Sequence, residues 1–90
     1  MCKLEMNRVV HISTAATTVV KNGKGSLHEI IVTGGTAGTI TIYDNTSAAG
    51  TKIAEFDSTN ALASYRFNCV FENGLTIVTS AATKLSVVYQ

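Results

Sequence analysis

The sequence GTITIYDNTSAAGTKIAEFD, residues 38–57, has the pattern of a β-hairpin. Two threonines alternate with Ile40 and Ile42, and a period of two sends successive side chains to opposite faces of a strand. Short polar residues and Gly50 follow, and both favour a chain reversal. Alternation resumes over residues 52–57. The rest of the chain repeats this combination of short strands and polar turns.

Other stretches are rich in β-branched residues or alternate in the same way, and turn signals separate them about every 8–12 residues. No stretch has a convincing apolar period of 3.6 residues. We therefore predict an all-β fold, an antiparallel β-sandwich of about eight strands that is jelly-roll-like, although a small barrel has the same spacing. The predicted strands are residues 8–12, 17–20, 26–33, 39–42, 52–57, 64–71, 75–79 and 85–89.

Two Asn-Gly pairs are the strongest turn signals in the chain. They are Asn22-Gly23 and Asn73-Gly74. Because Asn-Gly readily adopts the positive φ angles of tight hairpin turns, the first pair predicts a hairpin between the strands on either side of it. The second pair predicts a similar turn.

The predicted strand over residues 64–71 has the most aromatic face in the chain. Tyr65, Phe67, Cys69 and Phe71 all fall on one side of it. This face is the predicted centre of the core, with Cys69 as a small buried apolar residue. A disulfide to Cys2 is not expected, because a reducing compartment opposes it.

The composition favours a protein that is covered by other subunits. Hydrophobic residues make up 46% of the 90 residues and charged residues only 14%, against about 25% in an average soluble domain. Proline is absent, which removes one common guard against pairing between sheet edges. We therefore expect a homo-oligomer.

Length and charge limit the number of domains and the kinds of partner that the protein could have. Ninety residues provide material for one core, so residues 9–90 are predicted to form a single β-sandwich domain and residues 1–8 an N-terminal arm or edge strand. The net charge of +1 offers no field for nucleic acid or for an anionic membrane surface. No apolar stretch has the length of a membrane span or a signal peptide, so we expect synthesis in a cytoplasm.

Candidate reactive residues are few and scattered. Glu55 and Asp57 share a strand face, which we interpret as a solvated surface rather than an acid/base pair. His11 and His28 lie in different predicted strands without the short paired spacing of a zinc site. We expect no enzymatic activity, no catalytic residues, no metal and no cofactor.

Residues 25–32, 38–53 and 71–79, taken in that order, resemble the small all-β virion proteins of tailed bacteriophages, especially those that decorate or cement the head. The resemblance implies a non-enzymatic structural protein at the capsid surface of the virion. Its partner would be the major capsid protein, and it would stabilise the head by binding between capsid subunits as a homo-oligomer, commonly a trimer. The resemblance supplies no catalytic residues.

The N-terminal arm is the expected extension towards a neighbouring subunit, because its sequence lacks a face that could hold it against the core. Its predicted contact residues are Lys3, Leu4, Met6 and Arg8. Two alternatives remain open. One is a neck, tail or fibre component of the same kind of virion. The other is a carbohydrate-binding β-sandwich, which predicts an exposed aromatic cluster.

Overall fold

A computed structural model of the chain describes residues 8–58 and 62–90. All regular structure in this part of the chain is β-strand, which confirms the all-β prediction. The eight strands are β1 (Arg8–Ile12), β2 (Thr17–Asn22), β3 (Gly25–Gly35), β4 (Gly38–Tyr43), β5 (Lys52–Ser58), β6 (Ala63–Phe71), β7 (Gly74–Thr79) and β8 (Thr83–Tyr89).

The strands form two four-stranded sheets that pack face to face. The first sheet has the order β1-β8-β3-β6 and the second has the order β2-β7-β4-β5, with every pair antiparallel. This is the strand order of a jelly roll, so the predicted sandwich is confirmed and the barrel alternative is wrong.

Only β4 and β5 are consecutive strands that pair with each other, and they are the hairpin of residues 38–57. Ile40 lies opposite Phe56 and Ile42 opposite Ala54 on the core side of this hairpin. Gly50 has a φ of 86°, a left-handed value that glycine adopts without steric cost. Every other connection carries the chain from one sheet to the other.

Both Asn-Gly turns are present, but neither joins a hairpin, because the strands on either side of each lie in different sheets. The hairpin predicted at Asn22-Gly23 is therefore wrong. Gly23 has the expected positive φ of 94°, but Asn22 does not, and a tight type I′ turn needs both. The two turns form neighbouring corners instead, joined by a hydrogen bond from the Gly23 N–H to the Asn73 carbonyl oxygen at 3.1 Å. The strands on either side of each turn bury their apolar faces as members of different sheets, and this burial decides which strands they pair with. The turn adopts a conformation that allows this pairing.

The core lies between the central strands of the two sheets rather than at β6. Its fully or nearly fully buried apolar residues are Ile12, Leu27, Ile30, Val32, Ile40, Ile42, Phe71, Leu75, Ile77, Leu85 and Val87. The alternation predicted for β6 is correct, but only Phe71 on its apolar face is fully buried. Because β6 is an edge strand, the other three side chains of that face are only half-buried, which corrects the prediction of a core centred there.

Asp44 joins the β4–β5 turn to the β6–β7 corner. Its carboxylate accepts hydrogen bonds from the N–H of Asn73 at 2.8 Å and of Glu72 at 3.0 and 3.1 Å. These two bonds, that of Asn73 first, lower the pKa of the Asp44 carboxyl. The next residue, Asn45, accepts a hydrogen bond on its carbonyl oxygen from the Thr76 hydroxyl at 2.7 Å. The longest described turn is thus fixed to this end of the sandwich.

Replacing Asp44 with Ala should reduce the free energy of unfolding by about 1–2 kcal/mol at pH 7, because charge-assisted hydrogen bonds to two backbone N–H groups are lost. A lowered pKa stabilises the fold above about pH 4, where an unfolded aspartate is ionised, and this contribution is lost as the pH falls through the native pKa. The difference between wild type and D44A, measured by urea unfolding, should therefore shrink towards pH 2.

Glu72→Gln is the matched control, because it keeps the backbone donor and removes only an exposed ion pair with Lys24 at 4.0 Å. It should change the unfolding free energy by less than about 0.5 kcal/mol. An equal loss in both variants, or a D44A deficit that does not depend on pH, would contradict the role given to Asp44.

Candidate functional site

One side of the sandwich is bounded by two edge strands whose inward-facing aromatic side chains are only half-buried. There β5 forms the edge of one sheet and β6 forms the edge of the other. We call these two strands together the open rim. Neither strand has a further described strand beside it, so each presents a row of backbone groups that a sheet ladder does not satisfy. A positive φ of 50° at Asn68 accompanies an irregularity in the β3–β6 register between Arg66 and Cys69, so the regular part of β6 on this side is residues 63–66.

Aromatic side chains from both strands meet at the open rim. The ring centroid of Phe56 on β5 lies 4.5 Å from that of Tyr65 and 6.2 Å from that of Phe67, both on β6, at interplanar angles of 41° and 37°. Such tilted pairs stabilise a packing site beyond the area that they bury. All three side chains are half-buried and pack against the core from its edge.

The sequence placed Tyr65 and Phe67 on the core face of one predicted strand and did not connect them with Phe56, so this cluster was not predicted. Phe56 and Tyr65 are separated by a connection that could have led to many strand arrangements. Only the jelly-roll topology places β5 and β6 opposite each other. An available signal was that Phe56 on β5 and Tyr65 and Phe67 on β6 all occupy inward-facing positions of their strands.

Charged side chains lie on the outer faces of the same two strands. Glu55 and Asp57 are exposed on β5, and Arg66 is exposed on β6. Glu55 binds Lys52 with an N–O distance of 3.0 Å, and that hydrogen bond and its charge raise the pKa of the lysine. Asp57 accepts a hydrogen bond from the Thr39 hydroxyl at 2.9 Å. The Arg66 side chain has no ion-pair or hydrogen-bond partner among the described residues, and its Cα lies opposite that of Glu29 on β3.

The histidines lie apart from this rim. His11 on β1 is 3.3 Å from the Ser86 hydroxyl oxygen, whereas Nε2 of His28 on β3 is buried with no hydrogen-bond partner in the described part of the chain. Residues 8–58 and 62–90 contain no cluster of three His, Cys, Asp or Glu residues that could hold a metal ion. The surface formed by these residues also has no pocket.

Cys69 is a free thiol on the half-buried face of β6. Burial, and then the negative charge of Asp44, raise the pKa of this thiol. A raised pKa keeps the group protonated and therefore weakly nucleophilic. Cys2, the partner considered for a disulfide, lies outside the described residues.

Most of the predicted capsid-contact residues lie outside the described part of the chain, namely Lys3, Leu4 and Met6. Arg8 is exposed and is already part of β1, where its Cα is paired with that of Tyr89. Because β1 and β6 are the two edges of one sheet, Arg8 lies on the opposite side of the sandwich from the open rim.

Comparisons with protein-family models, with curated proteins and with solved structures find no match. In the described part of the chain, no helix has the length and apolar character needed to cross a membrane. The fold and the site therefore define an all-β jelly-roll domain whose most distinctive surface is an aromatic, unpaired rim.

Replacing Phe56 with Ala should lower the free energy of unfolding by about 2 kcal/mol, roughly half the loss for a fully buried phenylalanine, because its ring is half-buried between Tyr65 and Phe67. Val70→Thr is the control. Val70 is 61% exposed on the outer face of β6, and threonine keeps its β-branched shape. Chemical denaturation of both variants should show a loss for F56A alone, and equal stabilities would mean that the cluster does not pack as a unit.

Proposed function

We propose that this chain is a non-enzymatic structural protein of a tailed-bacteriophage virion, of the kind that decorates and cements the capsid. It would bind the major capsid protein at the capsid surface, between capsid subunits, as a homo-oligomer with a trimer expected. The observation that carries the proposal is the open rim, where two unpaired strand edges frame half-exposed aromatic rings. Exposure of apolar rings and unpaired strand edges to water is unfavourable, and contact with another chain removes that exposure.

The remaining support comes from composition and from the resemblance of residues 25–32, 38–53 and 71–79 to small virion proteins. Charged residues are 14% of the chain, so much of its outer surface is made of small, hydroxylated and apolar side chains suited to extended contacts. Jelly rolls serve in viral capsids and also in lectins, so the fold by itself favours both kinds of binding.

A cementing role follows from linkage. A protein that binds only the assembled shell stabilises that state by RT ln(1 + [L]/Kd), about 2.7 kcal/mol per site at a free concentration of one hundred times Kd. The binding protein needs no reactive group for this effect. It needs a rigid surface that fits the assembled subunits, and two sheets packed through a dense core provide rigidity.

The N-terminal arm is the proposed second contact. Arg8 begins β1 at a sheet edge, and β1 has no further described strand on its outer side. Lys3, Leu4, Met6 and Arg8 would contact the capsid or a neighbouring subunit. Seven extended residues span up to about 25 Å, enough to reach an adjacent chain.

Two other functions remain candidates. A neck, tail or fibre component would have the same fold and the same composition. A carbohydrate-binding module is favoured by the aromatic cluster, because aromatic rings offer apolar faces to ligands. The rings of this cluster pack against one another, however, which leaves less of each face for a sugar.

The proposal is tested on virions of the phage that encodes the chain, by immunogold labelling and quantitative mass spectrometry. Decoration predicts label over the whole head and a copy number comparable with that of the major capsid protein. If the label is confined to the neck or tail and the copy number is that of a small symmetric ring, a neck, tail or fibre component replaces the capsid proposal. If the protein is absent from the particle and binds sugars on a glycan array, the carbohydrate-binding module replaces the capsid proposal.

A truncation tests the arm. Replacing residues 1–7 with a single initiator methionine keeps Arg8 and all of β1, and it should weaken binding to undecorated heads by about tenfold or more, the equivalent of 1.4 kcal/mol, with an unchanged thermal unfolding midpoint. Two variants of unchanged length serve as controls. Lys3→Ser with Glu5→Ser removes charged side chains of the arm, and Leu4→Ser with Met6→Ser removes its apolar side chains. Full occupancy of heads by the truncated protein would remove the arm from the binding site.

A further inference from the structure

The fold places the two Asn-Gly pairs side by side but in different surroundings. Asn22 is the last residue of β2 and Gly74 is the first residue of β7, and their Cα atoms are paired. Both asparagines, Asn22 and Asn73, are exposed. A glycine has no side chain to hinder its own backbone nitrogen, so an asparagine before glycine is readily attacked by that nitrogen.

We propose that Asn22 is a site of spontaneous deamidation in the folded protein and that Asn73 is protected from the same reaction. The Gly23 nitrogen loses its proton to hydroxide and attacks Cγ of Asn22, whose amide nitrogen takes up a proton from water and leaves as ammonia. The cyclic imide that forms then adds water and opens to aspartate or isoaspartate. The net reaction consumes water and releases ammonia, and neither carbon nor nitrogen is oxidised or reduced.

The charges around the attacking nitrogen favour reaction at Asn22. A deprotonated backbone nitrogen is negatively charged, so a nearby cation stabilises it and a nearby carboxylate opposes it. Lys21 precedes Asn22 in the chain and Lys24 follows Gly23. Lys24 is also 4.0 Å from Glu72, but both side chains are largely exposed, which makes this ion pair weak.

The charges around Asn73 have the opposite sign. The Asp44 carboxylate accepts hydrogen bonds from the N–H of Asn73 at 2.8 Å and of Glu72 at 3.0 and 3.1 Å. These two N–H groups and, to a smaller extent, that of Gly74 lower the pKa of the Asp44 carboxyl. The nitrogen that would have to lose its proton is thus the Gly74 nitrogen, beside a carboxylate. Its negative charge would be repelled there, which opposes the reaction.

Packing separates the two glycines in the same sense. Ring closure turns the peptide group between the asparagine and the glycine, which requires space. A Cβ built on Gly23 would meet no atom within 4 Å, whereas one built on Gly74 would lie 2.8 Å from Cγ2 of Thr46 and 3.0 Å from the carbonyl oxygens of Asn45 and Lys21. Gly74 is also buried, and Gly23 is only half-buried. The peptide group at Gly23 therefore turns more easily.

One hydrogen bond opposes reaction at Asn22. The Gly23 N–H donates to the Asn73 carbonyl oxygen at 3.1 Å, and this bond must open before the nitrogen can attack. A bond between two neutral groups is weaker than the charge-assisted bonds that hold the other corner to Asp44. Asn22 should therefore react more slowly than in the unfolded chain and faster than Asn73.

The product also fits position 22 better than position 73. A carboxylate at position 22 lies between the cations of Lys21 and Lys24, and it lowers the formal net charge by one from +1. A new carboxylate at position 73 would be repelled by Asp44, which bonds the backbone there. Deamidation at Asn22 thus changes the charge of the corner between β2 and β3 as the protein ages, without removing the contacts of Asp44.

Peptide mapping by mass spectrometry tests the proposal on the full chain. The folded protein is incubated at mildly alkaline pH and then digested with pepsin in acid, which limits further deamidation. Asn22 should convert at least about tenfold faster than Asn73, because the second corner opens less often. In denaturing urea the two rates should come within about threefold of each other, since packing and the bonds to Asp44 are lost.

Asp44→Ala tests the protection of Asn73. It should increase the rate at Asn73 by about fivefold or more and change that at Asn22 by less than about twofold. F56A is the matched control, because it lowers the free energy of unfolding by a similar amount at the open rim. It should leave both rates unchanged, which distinguishes local protection by Asp44 from global stability.

Lys21→Gln with Lys24→Gln tests the effect of the cations. The double variant should slow conversion of Asn22 by about threefold, because the deprotonated nitrogen loses both neighbouring positive charges. Lys84→Gln is the matched control. It removes a positive charge from an exposed position on β8 and should leave the rate at Asn22 unchanged.

Equal rates at the two asparagines of the folded protein, or a faster rate at Asn73, would overturn the proposal. So would the absence of conversion at Asn22 over a time in which the unfolded chain converts. The outcome is separate from the proposed function, because these rates are measured on the isolated protein and do not depend on binding to phage heads.

Discussion

The fold depends on one constraint, the burial of the apolar faces of two four-stranded sheets against each other by a chain of 90 residues. The chain meets it by crossing between the sheets at every connection except the β4–β5 hairpin. Leu27, Ile42 and Ile77 are fully buried on three different strands, so each strand contributes to a shared core that no local pair could form alone. Hydrophobic burial of this kind is the main favourable term in folding, and here it overrides local turn preference.

The same constraint produces the candidate site. Two sheets of four strands have four edges, and β5 and β6 are the two edges on one side. On one side the gap is filled by Phe56, Tyr65 and Phe67, which complete the core and remain half-exposed. Rings are suited to this position, because a large apolar surface reaches across the gap from an edge strand. The capsid proposal depends on this surface.

Much of the fold was predictable because strand signals are local. Alternation placed all eight strands close to their observed positions, and β6 was correctly assigned its two faces. The Asn-Gly pairs misled for a physical reason. They encode a reversal of the chain, but the partner of a reversing strand is decided by which sheet buries its apolar face. The site was less predictable, since Phe56 meets Tyr65 only through the order of the strands, and the predicted contacts Lys3, Leu4 and Met6 lie outside the described residues.

The sequence by itself determined the class of the fold, the number of strands and the hairpin of residues 38–57, because a side-chain period of two and the turn residues act over a few neighbouring positions. Tertiary structure alone decided which strands became edges and which side chains met across the sheets. Phe56 meets Tyr65 and Phe67 because β5 and β6 are the edge strands on the same side of the two sheets. That packing is a contact between two sheets, and no local pattern in the chain specifies it.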